Sequence, residues 1–189
     1  HQCDRRQRQM CIRDSYIIFV YEDLMRRPSL NTPPLQQEKN MSKHYSTKHY
    51  GHNIGLSAVF RQPNADHSHC HFLHGYSLAF TFTFGCDKLD NKNWAVDFGG
   101  LKPLKAWLVD SFDHKLCLDV NDPHLEKFKE LEALDLADIR MFDGVGAEKF
   151  AEHAFNFADK LIREATNNRC YVVKVECAEH GANSAIYEG

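Results

Sequence analysis

Tyr76-Ser77-Leu78-Ala79-Phe80-Thr81-Phe82-Thr83-Phe84 alternates a bulky apolar side chain with a small or hydroxyl-bearing one throughout its length. Only a strand, whose side chains change face at every residue, gathers Tyr76, Leu78, Phe80, Phe82 and Phe84 into one layer. A face that aromatic must be covered, and the flanking sequence supplies the cover. Leu101, Leu104, Leu108 and Phe112 form a helical stripe, with Pro103 in the opening turn where its missing N–H costs nothing. Phe150, Ala154, Phe157, Ala158, Leu161 and Ile162 form a second stripe in a helix ending near Ala165. Further strands are expected at Asn53–Phe60 and Cys170–Glu179, the latter with Tyr171, Val173, Val175 and Cys177 on one face. Asp122 and Pro123 read as the start of a short third helix reaching about Leu134. This order predicts an α+β domain, an antiparallel sheet with the helices on one face. So small a sheet has open edges, and assembly with further copies would close them.

Composition sets the outer limits. The chain has 189 residues, 43% hydrophobic and 26% charged, with a formal charge of −3, which suits one globular domain and offers no electrostatic attraction to nucleic acid or a membrane surface. Twelve histidines would reverse the sign of that charge on protonation, so association and solubility should respond to mild acid. Seven cysteines, without a Cys-x-x-Cys pair, argue against a disulfide framework and fit a reducing, cytoplasmic compartment. The apolar run Tyr16–Tyr21 is too short to span a membrane. Residues 1–40 are first Arg-rich and then Pro- and Gln-rich, without helical or strand periodicity, so a disordered or non-native extension is expected before a domain at residues 41–189. Arg6–Ser15 resembles a translated sequencing adapter, and a native flexible tail is the alternative.

The chemistry-bearing residues are unevenly spread. His67-Ser68-His69-Cys70-His71-Phe72-Leu73-His74 places four imidazoles and a thiol in one short stretch. Neutral imidazole is a zinc ligand, and a catalytic zinc commonly takes three protein ligands. A His-rich loop can equally be plain solvated surface, and a lone cysteine plain packing. Asp113-His114 falls where the first helix ends. The carboxylate can fix the imidazole tautomer for proton transfer, or the imidazole can simply face the last helix carbonyls. Glu179 continues one face of its strand toward the apolar side, where its carboxylate would need donors. A bulge at Ala178 would instead leave it wet.

Taken in order, Cys70 with His74-Gly75 four residues later, Asp97-Phe98 with Leu101-Lys102, Phe112-Asp113-His114, Glu148 and Glu179 eight residues before Tyr187 resemble the 6-pyruvoyltetrahydropterin and 6-carboxytetrahydropterin synthase family. The resemblance covers about Asn53 to Gly189. It implies a tunnelling fold (T-fold), a four-stranded antiparallel sheet with two helices on one face. It also implies trimers or hexamers with active sites between subunits, and a lyase acting on 7,8-dihydroneopterin triphosphate, as in queuosine and deazapurine precursor synthesis. It assigns Cys70 as the proton-abstracting base, Asp113 and His114 as its relay, and Glu179 as the anchor for the pterin 2-amino and ring N–H edge. Arg61, Lys102 and Lys105 are candidates for the triphosphate.

The resemblance also implies zinc, held by one His late in the first strand and a His-Gly-His in the second. Here those positions carry Phe60, His74 and Tyr76, so His74 alone remains. Either His67, His69 and His71 supply replacement ligands, or the site works without zinc and Tyr76 polarises the substrate oxygen. Two rival functions stay open: a non-catalytic pterin-binding oligomer and a His-loop metal-binding module. Cys86, Cys117, Cys170 and Cys177 read as packing.

Overall fold

A computed structural model of the chain describes residues 43–189. The expected extension over residues 1–40 lies outside the described residues. Among those described, no helix is long and apolar enough to cross a membrane.

The decisive stretch is part of a long strand, β3 (His74–Cys86). The other strands are β1 (His44–Tyr50), β2 (Leu56–Phe60), β4 (Lys115–Asp119), β5 (Ile139–Phe142), β6 (Cys170–His180) and β7 (Asn183–Glu188). The helices are α1 (Lys102–Phe112), α2 (Leu125–Ala133) and α3 (Ala147–Thr166). Strands β1, β3, β6 and β7 pair antiparallel in that order, four strands as expected, but the first is β1 rather than the expected Asn53–Phe60 segment, which opens as a 3-10 turn at His52–Ile54 and becomes β2 from Leu56. The sheet does not stop there. Only the second half of β3 pairs with β1, and its first half pairs antiparallel with β2. Beyond β2 come β4 and β5, both parallel to their neighbours. The whole sheet therefore has seven strands and is mixed. The two extra parallel strands are short and carry no clear alternation, which is why periodicity did not expose them.

Leu78, Phe80, Phe82 and Phe84 are fully buried, together with Leu104, Leu108 and Phe112 of α1 and Phe150, Ala154, Ala158 and Ile162 of α3. The two helical stripes thus share one core over the aromatic face. Aspartates tie helix to sheet and turn: the Val172 N–H donates to Asp159 Oδ1 of α3 at 2.9 Å, and the His124 N–H donates to Asp122 Oδ1 at 2.8 Å before α2. The C-terminal strand departs from the expected alternation. A register shift against β3 leaves Val172, Val175 and Cys177 buried, while Tyr171 and Val173 turn outward from that layer. The extra residue of the bulge switches the face.

Phe112 is the hub of this core. Its ring lies 5.0 Å from Phe80, 5.2 Å from Phe150, 5.5 Å from Phe142 and 5.8 Å from Trp107. Removing it empties a space bounded by both helices and two strands. Phe112→Ala is expected to lower unfolding stability by about 3–5 kcal/mol, measured by chemical denaturation. A loss below about 1 kcal/mol would show that the hub collapses without cost.

Candidate functional site

The site begins where β2 ends and β3 starts. Phe60 pairs with His74, and Ala58 with Tyr76, so the side chains of Phe60, His74 and Tyr76 lie on the core-facing side of the sheet. Gly75 permits this pairing. A Cβ there would stand 2.9 Å from the Ala58 carbonyl oxygen, closer than any side chain tolerates. The rings make a compact cluster, with Phe60 centred 4.8 Å from His74 and 6.1 Å from Tyr76, and His74 5.6 Å from Tyr76.

Cys70 arrives from the loop between β2 and β3. Residues His69–His71 form one 3-10 turn, capped by Ser68, whose hydroxyl accepts the Cys70 N–H at 3.2 Å. The Cys70 carbonyl accepts the Gln62 N–H at 2.8 Å. The Gln62 side chain in turn donates to the Val145 carbonyl at 2.7 Å, fastening this loop to the entry of α3. Gly146 at that entry has φ +105, and a Cβ on it would meet the Gln62 amide. The thiol carrier is thus fixed on both sides while the residue itself is exposed.

Glu179 arrives from the far end of β6. A bulge does lie between Ala178 and His180, yet Glu179 stays half-buried. Burial raises the Tyr76 phenol above its ordinary value of 10.0, and the charges of Glu179 and then Cys70 raise it further. Cys70, Tyr76 and Glu179 therefore lie within electrostatic reach of one another. Glu179 takes part in no ion pair among the described residues. Burial, then the carboxylates of Glu179 and Glu148, push up the buried Cys177 thiol. Sequence reasoning missed His180. Alternation after Glu179 points it away, but the bulge brings its ring to 5.7 Å from Tyr76.

Asp113 and His114 form a pair of their own. Asp113 caps α1, and His114 takes a left-handed conformation, φ +57, that turns the chain into β4. His114 Nδ1 faces Asp113 Oδ1 at 2.7 Å, so the imidazole serves the carboxylate rather than the helix carbonyls. Neither residue hydrogen-bonds to Cys70 within the protomer among the described residues. Asp113 lines an open groove of about 610 Å³ with Lys102, Lys105, Ala106, Val109, Asp110 and Lys115. Arg61 is not available to a phosphate, because its Nε is 3.1 Å from the fully buried Asp122 carboxylate.

The donor set does not fit zinc. Phe60, 1% exposed, has no donor atom. The His74 Nδ1–H donates to the Phe72 carbonyl at 2.9 Å, leaving one open nitrogen. The replacement ligands do not gather either. His67 points into solvent beside Asp66, and His71 is bound to the Ser68 carbonyl and packed on Phe72 at 3.9 Å. His69 faces Phe72 at 6.2 Å. Among the described residues, no three His, Cys, Asp or Glu side chains converge on one point. Of the three loop imidazoles one, His71, is spent on a local backbone carbonyl and the other two point elsewhere, so a His-loop metal module lacks a gathered donor set among the described residues.

The remaining cysteines divide sharply from Cys70. Cys86, Cys117, Cys170 and Cys177 are buried and free. Burial pushes the Cys117 thiol up to about 12 and the Cys170 thiol up to about 11. Among the described cysteines, iodoacetamide at neutral pH is expected to alkylate Cys70 alone in the folded protein, and the other four only after unfolding, read by peptide mass mapping. The folded thiol values exceed the ordinary value of about 8.5. Their contribution to stability is complete below that pH and is lost as pH rises toward 11–12, because the unfolded chain releases its protons first.

The family model described as 6-pyruvoyl tetrahydropterin synthase matches residues 40–189. A 6-carboxy-5,6,7,8-tetrahydropterin synthase of Aquifex aeolicus is 29% identical over 124 residues, 63% of this chain and 75% of that protein. One of the same name from Rickettsia typhi is 37% identical over 59 residues, 31% of this chain and 43% of that protein. A crystal structure of an uncharacterized protein from Wolinella succinogenes superposes with a TM-score of 0.64 at 16% identity, covering 78% of this chain and 99% of that one. A 6-pyruvoyl tetrahydropterin synthase of Plasmodium falciparum superposes at 0.59 with 11% identity, over 78% and 98%. At such identities these structures speak for the fold, a T-fold.

Proposed function

The chain belongs to the 6-pyruvoyl tetrahydropterin synthase family, and from that premise we propose that it is a carbon–oxygen lyase acting on 7,8-dihydroneopterin triphosphate. Triphosphate is eliminated and the side chain cleaved or rearranged, in the manner of the relatives named 6-carboxy-5,6,7,8-tetrahydropterin synthase, supplying queuosine or deazapurine precursors in the cytoplasm. The observation that carries this reading is that Tyr76, on the core-facing side of the sheet, lies within electrostatic reach of both Cys70 and Glu179, which come from separate segments. Glu179, without an ion-pair partner, suits the adjacent N–H groups of a pterin edge. Cys70, exposed on a fastened turn, suits a base that takes a proton from the substrate side chain as its thiolate.

Asp113 and His114 join this chemistry through a second copy of the chain. Among the described residues strands β1, β5 and β7 each pair on one side only, which favours closure by oligomerisation into a trimer or hexamer. Lys102, Lys105 and Lys115 share a groove with Asp113, so the subunit that brings the relay also brings positive charge for the triphosphate. The mismatch of the donor set to zinc favours one rival, an oligomer that binds pterin without turning it over. Assay of triphosphate release by phosphorus NMR separates the two. Release with formation of a new pterin supports the lyase, and neopterin binding without release supports the rival.

A further inference from the structure

Phe60, His74 and Tyr76 do more than fail to offer three metal donors. They fill the position. The Phe60 ring lies against His74 at 4.8 Å and meets Phe150 of the core edge-on at 5.2 Å, so an aromatic wall extends from the core to the place where donors would have to point. Tyr76 is held by three rings at once, Phe60 at 6.1 Å, His74 at 5.6 Å and His180 at 5.7 Å. Such packing leaves a phenol few alternative rotamers, and an oriented donor costs little reorganisation when charge develops beside it. The hydroxyl feels both Glu179 and Cys70, so it lies within electrostatic reach of the group suited to the pterin edge and of the group suited to proton abstraction.

We propose that this site works without a bound metal ion, and that the Tyr76 hydroxyl, held by Phe60, His74 and His180, is the hydrogen-bond donor to the substrate oxygen on which negative charge develops. The inference rests on the pterin-lyase reading above. Burial, and then the neighbouring Glu179 carboxylate, raise the phenol further above neutrality, so it stays protonated and able to donate.

The test uses the purified full chain, incubated with zinc chloride, desalted and analysed for bound metal, beside neopterin binding and turnover of the triphosphate. The wild type is expected to retain no stoichiometric zinc, and Tyr76→Phe to lower kcat by about 10²–10³-fold with KM nearly unchanged. The Phe60→His, Tyr76→His double variant is expected to gain stoichiometric zinc. Phe60 is buried, so Tyr76→His alone, with His74 beside it, gives a second variant expected to bind zinc more tightly than the wild type should the double variant not fold. Stoichiometric zinc on the wild type that His74→Ala removes would overturn the proposal, as would an unaltered kcat in Tyr76→Phe. Neopterin binding with zinc retained sinks this inference alone. Absence of any neopterin binding sinks the pterin reading and the role of Tyr76 with it, while the zinc result still decides the metal question.

Discussion

Cys70→Ala is expected to reduce triphosphate release by about 10²–10⁴-fold, the range ordinarily lost with a positioned acid or base, while neopterin affinity stays within about twofold. The split follows from how the residue is held. Its N–H rests on Ser68 and its carbonyl on Gln62, both backbone contacts, so alanine keeps the turn and removes only the sulfur. Cys70→Ser is expected to recover little, because a hydroxyl does not ionise in the neutral range. Stopped-flow or steady-state release assays on the three proteins measure this. Parallel loss of affinity and turnover would make Cys70 a binding group instead.

Glu179→Gln is expected to weaken neopterin binding by roughly two orders of magnitude, from a lost charge-assisted pair of about 3 kcal/mol. The amide keeps one acceptor but turns an N–H toward the donor edge of the pterin, so one favourable contact becomes a clash of donors. Since Glu179 is in no ion pair among the described residues, the melting temperature should move little. A large drop in thermal stability with unchanged affinity, measured by fluorescence titration and calorimetry, would mark the residue as structural.

The same contrast of partners explains how far the chain could be read residue by residue. Phe80, Phe82 and Phe84 are buried as their spacing demands, and Leu104, Leu108, Phe150 and Ala154 cover them. Glu179 stays half-buried and within electrostatic reach of Tyr76 although a bulge intervenes. Strand β1, and β4 with β5, escaped notice: the parallel pair is only five and four residues long, and its pairing is set by neighbours distant in the chain.

What the sequence determined alone is local: which residues alternate with period two, which recur at helical spacing, and which reactive side chains accompany them in a family order. These depend on near neighbours along the chain, where backbone geometry sets the outcome. The tertiary structure alone decided convergence. It set Phe60 against His74 and turned His71 of the loop onto the Ser68 carbonyl. It spent Arg61 on Asp122, and it brought His180 to Tyr76 through a bulge. Convergence accumulates every register shift and turn between two segments, and a single extra residue in a strand reverses the face on which each following side chain appears.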